Sequence, residues 1–345
     1  MKRHINIPIF IPHLGCPNQC VFCNQKTISG VSEFDPDTLD SIITEALSTV
    51  SADTEAEIAF FGGSFTGIDR ELMIRLLTIA DKYVKCGRIS SIRCSTRPDY
   101  IDEEILGILK KYSVSVIELG LQSTNNDVLM ISKRNHTRED AQRACRLITE
   151  WGFTLVGQMM IGLPGSYENK ELETARFIID SGAKYARIYP TVVFRDTELS
   201  CMTEKNIYEP LSVEDAVRRS ASVLTEFTDN GIEVIRIGLC ASENLGSADT
   251  YVAGPNHPAL GELVENRVYL TKMRRALGEL SLSSRESVTV SVGLGSLSKA
   301  IGQRKMNKIQ LMEEFDLKSL SFVEDDKICA YSVRAKRNER NDKCT

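Results

Sequence analysis

The fold is decided by the stretch Cys16-Pro17-Asn18-Gln19-Cys20-Val21-Phe22-Cys23. It follows an apolar, proline-interrupted run, residues 5–12, that is typical of a buried strand. In α/β proteins, the loops that follow strands carry the chemistry. Three thiolates in one loop can bind a soft metal centre and leave one coordination position open. The stretch therefore predicts a strand followed by a metal-binding loop in an α/β fold.

Two kinds of metal centre suit these three cysteines. Zinc would need a further ligand, which His13 offers. An iron–sulfur cluster would keep one iron without a protein thiolate. The chain has no second Cys-x-x-Cys pair to complete a zinc site, and its other cysteines are scattered singly, as apolar filler or a tail thiol. The residues favour the cluster and leave zinc as the alternative.

The composition is that of an ordinary globular protein. The chain has 345 residues, of which 42% are hydrophobic and 26% charged. It has no apolar run of membrane-spanning length and no signal-peptide pattern, so we expect a cytoplasmic protein without a membrane partner. The cysteine usage fits reduced thiols or metal ligation better than a secreted disulfide scaffold. The net charge of −5 gives no global signal for nucleic acid.

Strand and helix patterns alternate along the first two thirds of the chain. The predicted strands cover residues 5–12, 57–61, 91–95, 115–121, 153–161 and 185–194, with a last strand-like run at 233–239. The predicted helices cover residues 35–50, 69–84, 102–111, 138–151, 168–181 and 213–229. This alternation predicts a parallel sheet with right-handed crossovers. Six units are too few for a closed eight-fold barrel, so we expect an open, partial (β/α)6 barrel of the TIM type, with ligands at the carboxyl ends of the strands.

The pattern changes beyond about residue 245. We therefore expect a core domain over residues 1–245 and a small α+β extension over residues 246–345. The extension has predicted helices at 260–277 and 298–312, a strand at 287–292, and a charged, disordered tail from residue 334. Basic side chains on its two helices have acidic neighbours, which favours a solvated face and leaves contact with RNA phosphate as the alternative.

The spacing Cys-x-x-x-Cys-x-x-Cys, with Phe22 just before the third cysteine, resembles the motif of the radical S-adenosylmethionine (SAM) enzymes. The resemblance implies that Cys16, Cys20 and Cys23 bind three irons of a 4Fe–4S cluster and that SAM chelates the fourth. In that family, an electron from the cluster cleaves SAM to methionine and a 5′-deoxyadenosyl radical, which abstracts hydrogen from the substrate. Phe22 would then lie near the adenine, with simple core packing as its alternative role.

A glycine pair follows the second predicted strand, in the turn Gly62-Gly63-Ser64. Alone it would suit any tight turn, and it is not a P-loop because no Lys-Ser/Thr pair follows. One β/α unit after the cysteine loop, however, it resembles the glycine motif that receives the amino group of SAM in this family.

Later strand ends resemble those of the oxygen-independent coproporphyrinogen III oxidases. The matching runs are Glu118-Leu119-Gly120-Leu121-Gln122-Ser123, Arg134-Asn135-His136-Thr137 and Ile161-Gly162-Leu163-Pro164-Gly165. The match implies that Gln122, Arg134 and Gln158 contact SAM. Gln158 and Ser95 stand where that group has acids, and Phe10 stands where it has a tyrosine, so a porphyrinogen substrate is less well supported.

The radical SAM domain of the Elongator catalytic subunit is a closer resemblance. The shared stretches are Ser95-Thr96-Arg97-Pro98-Asp99, Ile188-Tyr189-Pro190-Thr191 and Val234-Ile235-Arg236-Ile237-Gly238-Leu239, with the cysteine loop and the run 118–123. They extend over about residues 5–260. The family modifies wobble uridine in tRNA, so the resemblance implies a transferase with tRNA as partner. Acetyl-CoA is not implied, because the matched stretches do not include the acetyltransferase domain of that family.

Two other hypotheses stay open at this point. One keeps the radical chemistry but acts on a small molecule such as a porphyrinogen, and the other is a non-catalytic carrier of a cluster or haem. The hypothesis that the resemblance favours, a radical SAM enzyme for tRNA modification, also implies a reductant such as flavodoxin or ferredoxin. The oligomeric state does not follow from the sequence.

Overall fold

The computed structural model describes residues 4–11, 14–16, 20–24, 33–51, 53–239 and 250–338. Within these ranges, no helix combines the length and the apolar character needed to cross a bilayer. His13 and the residues 17–19 between the first two cysteines lie outside the described residues, as does the predicted domain boundary at residue 245.

The larger unit is built on a parallel sheet of seven strands in sequential order. These strands are β1 (His4–Phe10), β2 (Glu55–Phe61), β3 (Ser91–Thr96), β4 (Val114–Gln122), β5 (Thr154–Ile161), β6 (Tyr185–Pro190) and, after a short β7 (Val193–Phe194), β8 (Glu233–Ile237). Most of their central positions are buried and apolar, but some carry buried charged side chains, such as Arg93, Glu118 and Arg187. The sheet curls as a half barrel, which confirms the predicted partial TIM-type barrel. Its seventh strand is the run that the sequence marked only as strand-like.

Helices alternate with these strands along the chain. They are α1 (Leu39–Thr49), α2 (Arg70–Lys85), α3 (Glu103–Lys111), α4 (Asn126–Ile131), α5 (Arg138–Glu150), α6 (Glu168–Asp180), α7 (Glu198–Glu204) and α8 (Val213–Asp229). Side-chain caps explain several starts. Asp69, Asp102 and Ser212 each accept a hydrogen bond from a backbone N–H in the first turn, and Thr137 forms a reciprocal capping box with Asp140.

Three details of this unit differ from the sequence expectations. The predicted strand 185–194 is divided, because β7 leaves the large sheet and pairs with β9 (Tyr251–Ala253). The short helices α4 and α7 were not predicted. Both have only six or seven residues, which is too short for a helical period to be visible.

A second, smaller unit follows. Helix α9 (Leu260–Gly278) leads into β10 (Ser287–Val292), α10 (Leu297–Ile301), α11 (Met306–Glu314), β11 (Ser319–Glu324) and β12 (Val333–Arg337). The three strands form a sheet in the order β11-β10-β12, with its own apolar core. The predicted helix 298–312 is wrong as one element, because Gly302 ends α10 with a φ of 79°. The predicted disordered tail is also wrong at its start, since residues 333–337 pair with β10, while residues 339–345 lie outside the described residues.

Candidate active site

A cavity of about 470 Å³ is lined by inward-facing strand residues and by the loops that follow the strands. Its wall includes all ten residues that the sequence resemblance singled out. They are Cys16, Cys20, Phe22, Cys23, Gly62, Gly63, Ser64, Gln122, Arg134 and Gln158. Residues that are distant in the chain therefore meet at the same place, where a parallel α/β sheet presents its ligand site.

The glycine turn lets the cysteine loop approach the strand that follows it. A Cβ on Gly63 would lie 2.4 Å from the Leu14 carbonyl oxygen, and one on Gly15 would lie 2.2 Å from the Ser64 carbonyl oxygen. The Ser64 N–H donates to the Leu14 carbonyl over 3.3 Å. The Cys16 Sγ lies 3.4 Å from the Ser64 Oγ. The close backbone contact explains why glycine stands on both sides of it.

The two unpredicted helices hold the cysteine loop at Val21. The Val21 N–H donates to the Ser132 carbonyl just after α4, over 3.2 Å. The Val21 carbonyl accepts from the Leu199 N–H in the first turn of α7, over 2.8 Å. An ion pair between Lys133 and Glu198 joins the two helices directly. The short elements that sequence reasoning missed are thus part of the support of the site.

Arg134 is the buried cation closest to the cysteines. Its Nη1 donates to the Cys20 Sγ over 3.4 Å, and its Nη2 donates to the Gly120 carbonyl. Arg97 in turn donates to the Arg134 carbonyl and forms a two-pronged pair with Asp99, each bond 2.9 Å long. Burial lowers the pKa of Arg97, but the hydrogen bonds and the negative charge of Asp99 outweigh burial and keep its pKa above the ordinary value.

Gln122 ends β4 in a left-handed backbone conformation, with a φ of 65°. The register between β4 and β5 shifts at this point, so the side chain turns into the cavity. Its Oε1 is buried and has no hydrogen-bond partner among the described residues. A non-glycine residue in this conformation suggests a function.

Four further buried polar atoms on the cavity wall also have no partner in the described part of the chain. They are Asn6 Oδ1, Arg97 Nη1, Arg134 Nε and Arg187 Nε. A buried polar group without a protein partner is costly, and several around one cavity indicate a polar ligand that satisfies them. Three thiols, a glycine-lined backbone and these atoms around one cavity fit a 4Fe–4S cluster with SAM.

The zinc alternative needs several side chains that converge on one metal ion. No three His, Cys, Asp or Glu side chains converge on a single metal ion within the described ranges. A cubane cluster does not require such convergence, because each cysteine binds a different iron. His13, the further ligand that the sequence offers to zinc, lies outside the described residues.

Phe22 has the packing role that the sequence gave as its alternative, and it also lies on the cavity wall. It packs against the small apolar cluster formed by Val21, Val193, Leu199 and Tyr208. Its contact with adenine stays a prediction.

Gln158 lies on the cavity wall, but its amide nitrogen is already engaged. Its Nε2 donates to Glu118 over 2.8 Å and to Ser95 over 3.4 Å. Glu118 is fully buried and also accepts from Arg93 over 3.0 Å and from Arg187 over 2.8 Å. The sequence analysis did not predict this buried network. Its signal in the sequence was a charged residue within an otherwise apolar strand, as at Arg93, Glu118 and Arg187.

Positive charge exceeds negative charge on the cavity wall. Arg97, Arg134, Arg187 and Arg236 line it, and Glu118 is its only carboxylate among the described residues. Arg236 lies opposite Arg187 in the pairing of β6 with β8 and has no ion-pair partner within the described ranges. Tyr189 lies beside them, and burial raises its pKa, so its hydroxyl stays protonated at neutral pH. Such a wall suits an anionic ligand.

Known protein families match most of the larger unit. The sequence profile of the Radical SAM superfamily matches residues 10–178, and that of the Radical_SAM C-terminal domain matches residues 183–269. A tRNA uridine(34) acetyltransferase of Methanocaldococcus jannaschii is 27% identical over 243 residues, which is 59% of this chain and 45% of that protein. Human Elongator complex protein 3 is 29% identical over 136 residues, which is 39% of this chain and 25% of that protein. The chain thus spans less than half the length of these curated relatives.

One solved structure shares the fold over most of the chain. It is the Elp3 protein of the archaeon Methanocaldococcus infernus without its first 46 residues, with a TM-score of 0.63 and 22% identity. The match covers 79% of this chain and 64% of that one. Nearly all residues that line the cavity lie within the two ranges that the profiles match. The chain is therefore an enzyme of the radical SAM superfamily, whose members use a 4Fe–4S cluster and SAM.

Proposed function

We propose that the chain modifies tRNA by radical SAM chemistry at this cavity. The observation that carries the proposal is that Cys16, Cys20 and Cys23 share one cavity with the turn 62–64 and with Gln122. When bound, the cluster and SAM would supply a 5′-deoxyadenosyl radical, made by reductive cleavage of SAM, for hydrogen abstraction.

The chain's own residues have separable tasks in this proposal. Cys16, Cys20 and Cys23 hold the cluster. The backbone at Gly62 and Gly63, which lines the cavity without side chains, accommodates the amino acid part of SAM.

Polar groups orient the rest of the ligand. The Gln122 Oε1 and the Arg134 Nε are buried without partners in the described residues, so they are available to a bound ligand. Gln158 contributes less directly, because its amide nitrogen is bound to Glu118. We therefore place Gln158 as a residue that positions the wall of the cavity.

The choice of tRNA rests on two supports. The curated relatives named above are a tRNA uridine(34) acetyltransferase and an Elongator protein. The cavity wall also carries Arg187 and Arg236 beside Tyr189, which suits the negative charge of a nucleotide. The matched region is only part of those relatives, so the transferred group is left open.

The first test is the formation of 5′-deoxyadenosine. The protein is reconstituted with iron and sulfide without oxygen and mixed with dithionite and SAM, and the product is measured by chromatography. The variant C16A/C20A/C23A is expected to form none. A matched control, C86A/C201A/C329A, removes three exposed cysteines outside the cavity and should keep wild-type levels. Stoichiometric zinc without product in the wild type would refute the cluster.

The second test addresses the substrate. Bulk tRNA should raise the rate of 5′-deoxyadenosine formation, and mass spectrometry of the digested tRNA should show a new nucleoside. Stimulation by a porphyrinogen and not by tRNA would favour a small-molecule substrate. Product without any stimulation by tRNA would contradict the proposed substrate while leaving the radical chemistry intact.

A further inference from the structure

The smaller unit has a distinctive connection between two parallel strands. β10 lies at the centre of its sheet, with β11 parallel on one side and β12 antiparallel on the other. The chain passes from β10 to β11 through α10, a four-residue turn and α11. Both helices contact β11, so they lie over the edge of the sheet. The turn reads Gly302-Gln303-Arg304-Lys305.

The backbone of this turn is held in an unusual shape. Arg304 and Lys305 both have left-handed conformations, with φ of 51° and 64°. A Cβ on Gly302 would lie 2.9 Å from the Asn307 side chain, so glycine is required there. The buried Asn307 amide donates to the Ala300 carbonyl over 3.1 Å and to the Asn266 carbonyl over 2.8 Å. The turn is therefore fixed to both α10 and α9.

The turn and the segments beside it are rich in positive charge, and the acidic residues Glu313 and Glu314 come only at the far end of α11. Between residues 297 and 311 there are four basic residues and no acidic one, in a chain whose net charge is −5. Lys299 is neutralised by Glu265. Arg304 and Lys305 are exposed, and neither they nor Lys308 has an ion-pair partner among the described residues. Of the acidic neighbours on these helices, Glu314 pairs with Arg274 and Glu265 pairs with Lys299.

Apolar side chains accompany these cations on α11. Met306 is 57% exposed and Ile309 is 45% exposed. They are three residues apart and so lie on one face of the helix, next to Lys305 and Lys308. Cations that alternate with exposed apolar groups can contact phosphates and bases together.

We propose that this surface, formed by the turn 302–305 with Met306, Lys308 and Ile309, binds single-stranded RNA. Two helices joined by a glycine-initiated four-residue turn resemble the helix pair of KH modules, whose G-x-x-G loop clamps a nucleic-acid backbone. Lys305 takes the place of the second glycine and adopts the left-handed conformation that a glycine would take. Charge complementarity selects a polyanion, and the exposed apolar groups select one with unstacked bases. The surface lies outside the cavity, so it would anchor RNA and not act on it.

The test measures the binding of the full chain to a fluorescein-labelled, mixed-sequence, single-stranded RNA of about twelve nucleotides. Fluorescence anisotropy is recorded without SAM, over a range of potassium chloride concentrations. The variant R304Q/K305Q/K308Q should bind at least about tenfold more weakly. Its plot of log affinity against log salt should be shallower by about 2, since each lost phosphate contact removes about 0.7 from the slope of a single strand.

A matched control separates the local surface from net charge. K82Q/R88Q/K111Q removes three exposed cations from the larger unit and should bind RNA as the wild type does. Equal weakening in both triple variants, or none in either, would overturn the proposal. Binding of a polyglutamate peptide or of duplex RNA as tightly as single-stranded RNA would also overturn it. If the first variant unfolds at a lower temperature than the wild type, K308Q alone, on the helix surface, replaces it.

This outcome is independent of the chemistry proposed for the cavity. The RNA measurement needs neither the cluster nor SAM, and the 5′-deoxyadenosine measurement needs no RNA. Failure of one therefore leaves the other result standing.

Discussion

Arg134 connects Cys20, a proposed cluster ligand, to the end of β4, where we propose that SAM binds. Its guanidinium donates to the Cys20 sulfur and to the Gly120 carbonyl, and its own carbonyl is held by Arg97. Hydrogen bonds and positive charge near the sulfurs of an iron–sulfur cluster stabilise its reduced state. One side chain can therefore influence both the reduction of a cluster and the placement of its ligand.

The first prediction concerns R134Q in the cluster-loaded protein. A hydrogen bond that involves a charged group contributes about 1.5 to 3 kcal/mol, and a one-electron couple changes by about 60 mV for each 1.4 kcal/mol. The reduction potential should fall by about 65 to 130 mV in a redox titration followed by electron paramagnetic resonance. R134K keeps the charge and should show a smaller fall. An unchanged potential in R134Q would contradict this role.

The second prediction concerns His136, which is buried with both ring nitrogens lacking partners in the described residues. Burial and the nearby Arg134 lower its pKa from 6.5 to about 3. Between pH 6.5 and 3 the unfolded chain binds the proton and the folded chain does not, so stability falls as the pH is lowered.

The loss should be on the order of 1 kcal/mol for each pH unit below about 6.5. H136Q removes the titration, and so its unfolding free energy should depend less on pH between about 4 and 6.5 than that of the wild type. Denaturant unfolding of the cluster-free protein at several pH values measures both slopes. Parallel slopes would show that His136 does not account for the acid sensitivity.

At the scale of elements, the cysteine loop is shaped by contacts from β2, α4 and α7. The backbone of Gly63 packs against the Leu14 carbonyl so closely that no side chain fits. The third prediction is that G63A loses about 3 kcal/mol of local stability or more, because two backbone segments must separate. Iron content after reconstitution should fall with it.

A matched glycine offers the control for this change. Gly278 ends α9, and no other atom lies within 4 Å of the position that an added Cβ would take. G278A should retain iron and gain up to about 1 kcal/mol, since alanine is the better helix former. Equal iron content in G63A and G278A would show that the close approach does not matter for metal loading.

The elements that could be predicted from sequence are those with a local signal. The strands of the large sheet are continuous apolar runs, and the starts of α5 and α8 are marked by the caps Thr137 and Ser212. The helices α4 and α7 have no such period, and the break at Gly302 depends on packing against Asn307. The ten predicted cavity residues were found because their motifs are local in sequence.

The inner ring of charges in the half barrel, formed by Arg93, Glu118 and Arg187, could not be predicted from local sequence motifs. Arg93, Glu118 and Arg187 come from three strands and meet only when the sheet curls. Each residue taken alone is an ordinary charged residue in a strand. Their relation depends on strand register, which the apolar pattern does not specify across parallel neighbours.

At the scale of the whole molecule, two apolar cores share one helix. The first half of α9 packs in the core of the half barrel through Val264 and Val268. Its second half packs in the core of the smaller unit through Tyr269, Met273 and Leu277. The helix thus connects the cavity-bearing unit to the unit with the proposed RNA surface, and Trp151 packs against the core of the first of these units.

The fourth prediction uses this arrangement to measure the buried ion network of the half barrel. Glu118 joins β3, β4 and β6 through Arg93 and Arg187 and is fully buried. E118Q leaves Arg187 without a carboxylate partner, because Arg93 still has Glu57. Removal of one partner of a buried pair costs about 3 to 5 kcal/mol, since the remaining charge stays desolvated.

Trp151 is the single tryptophan of the chain and packs against the core of the half barrel, so its fluorescence follows the unfolding of that unit. E118Q should shift the denaturant midpoint in this signal downward by the equivalent of those roughly 3 to 5 kcal/mol. E314Q, which breaks the half-exposed pair with Arg274 in the smaller unit, should leave the midpoint unchanged, because an exposed pair contributes at most about 1 kcal/mol and lies in another core. A shift in E118Q as small as that in E314Q would mean that the curled sheet is held by its apolar packing and that the inner ring of charges serves the cavity alone.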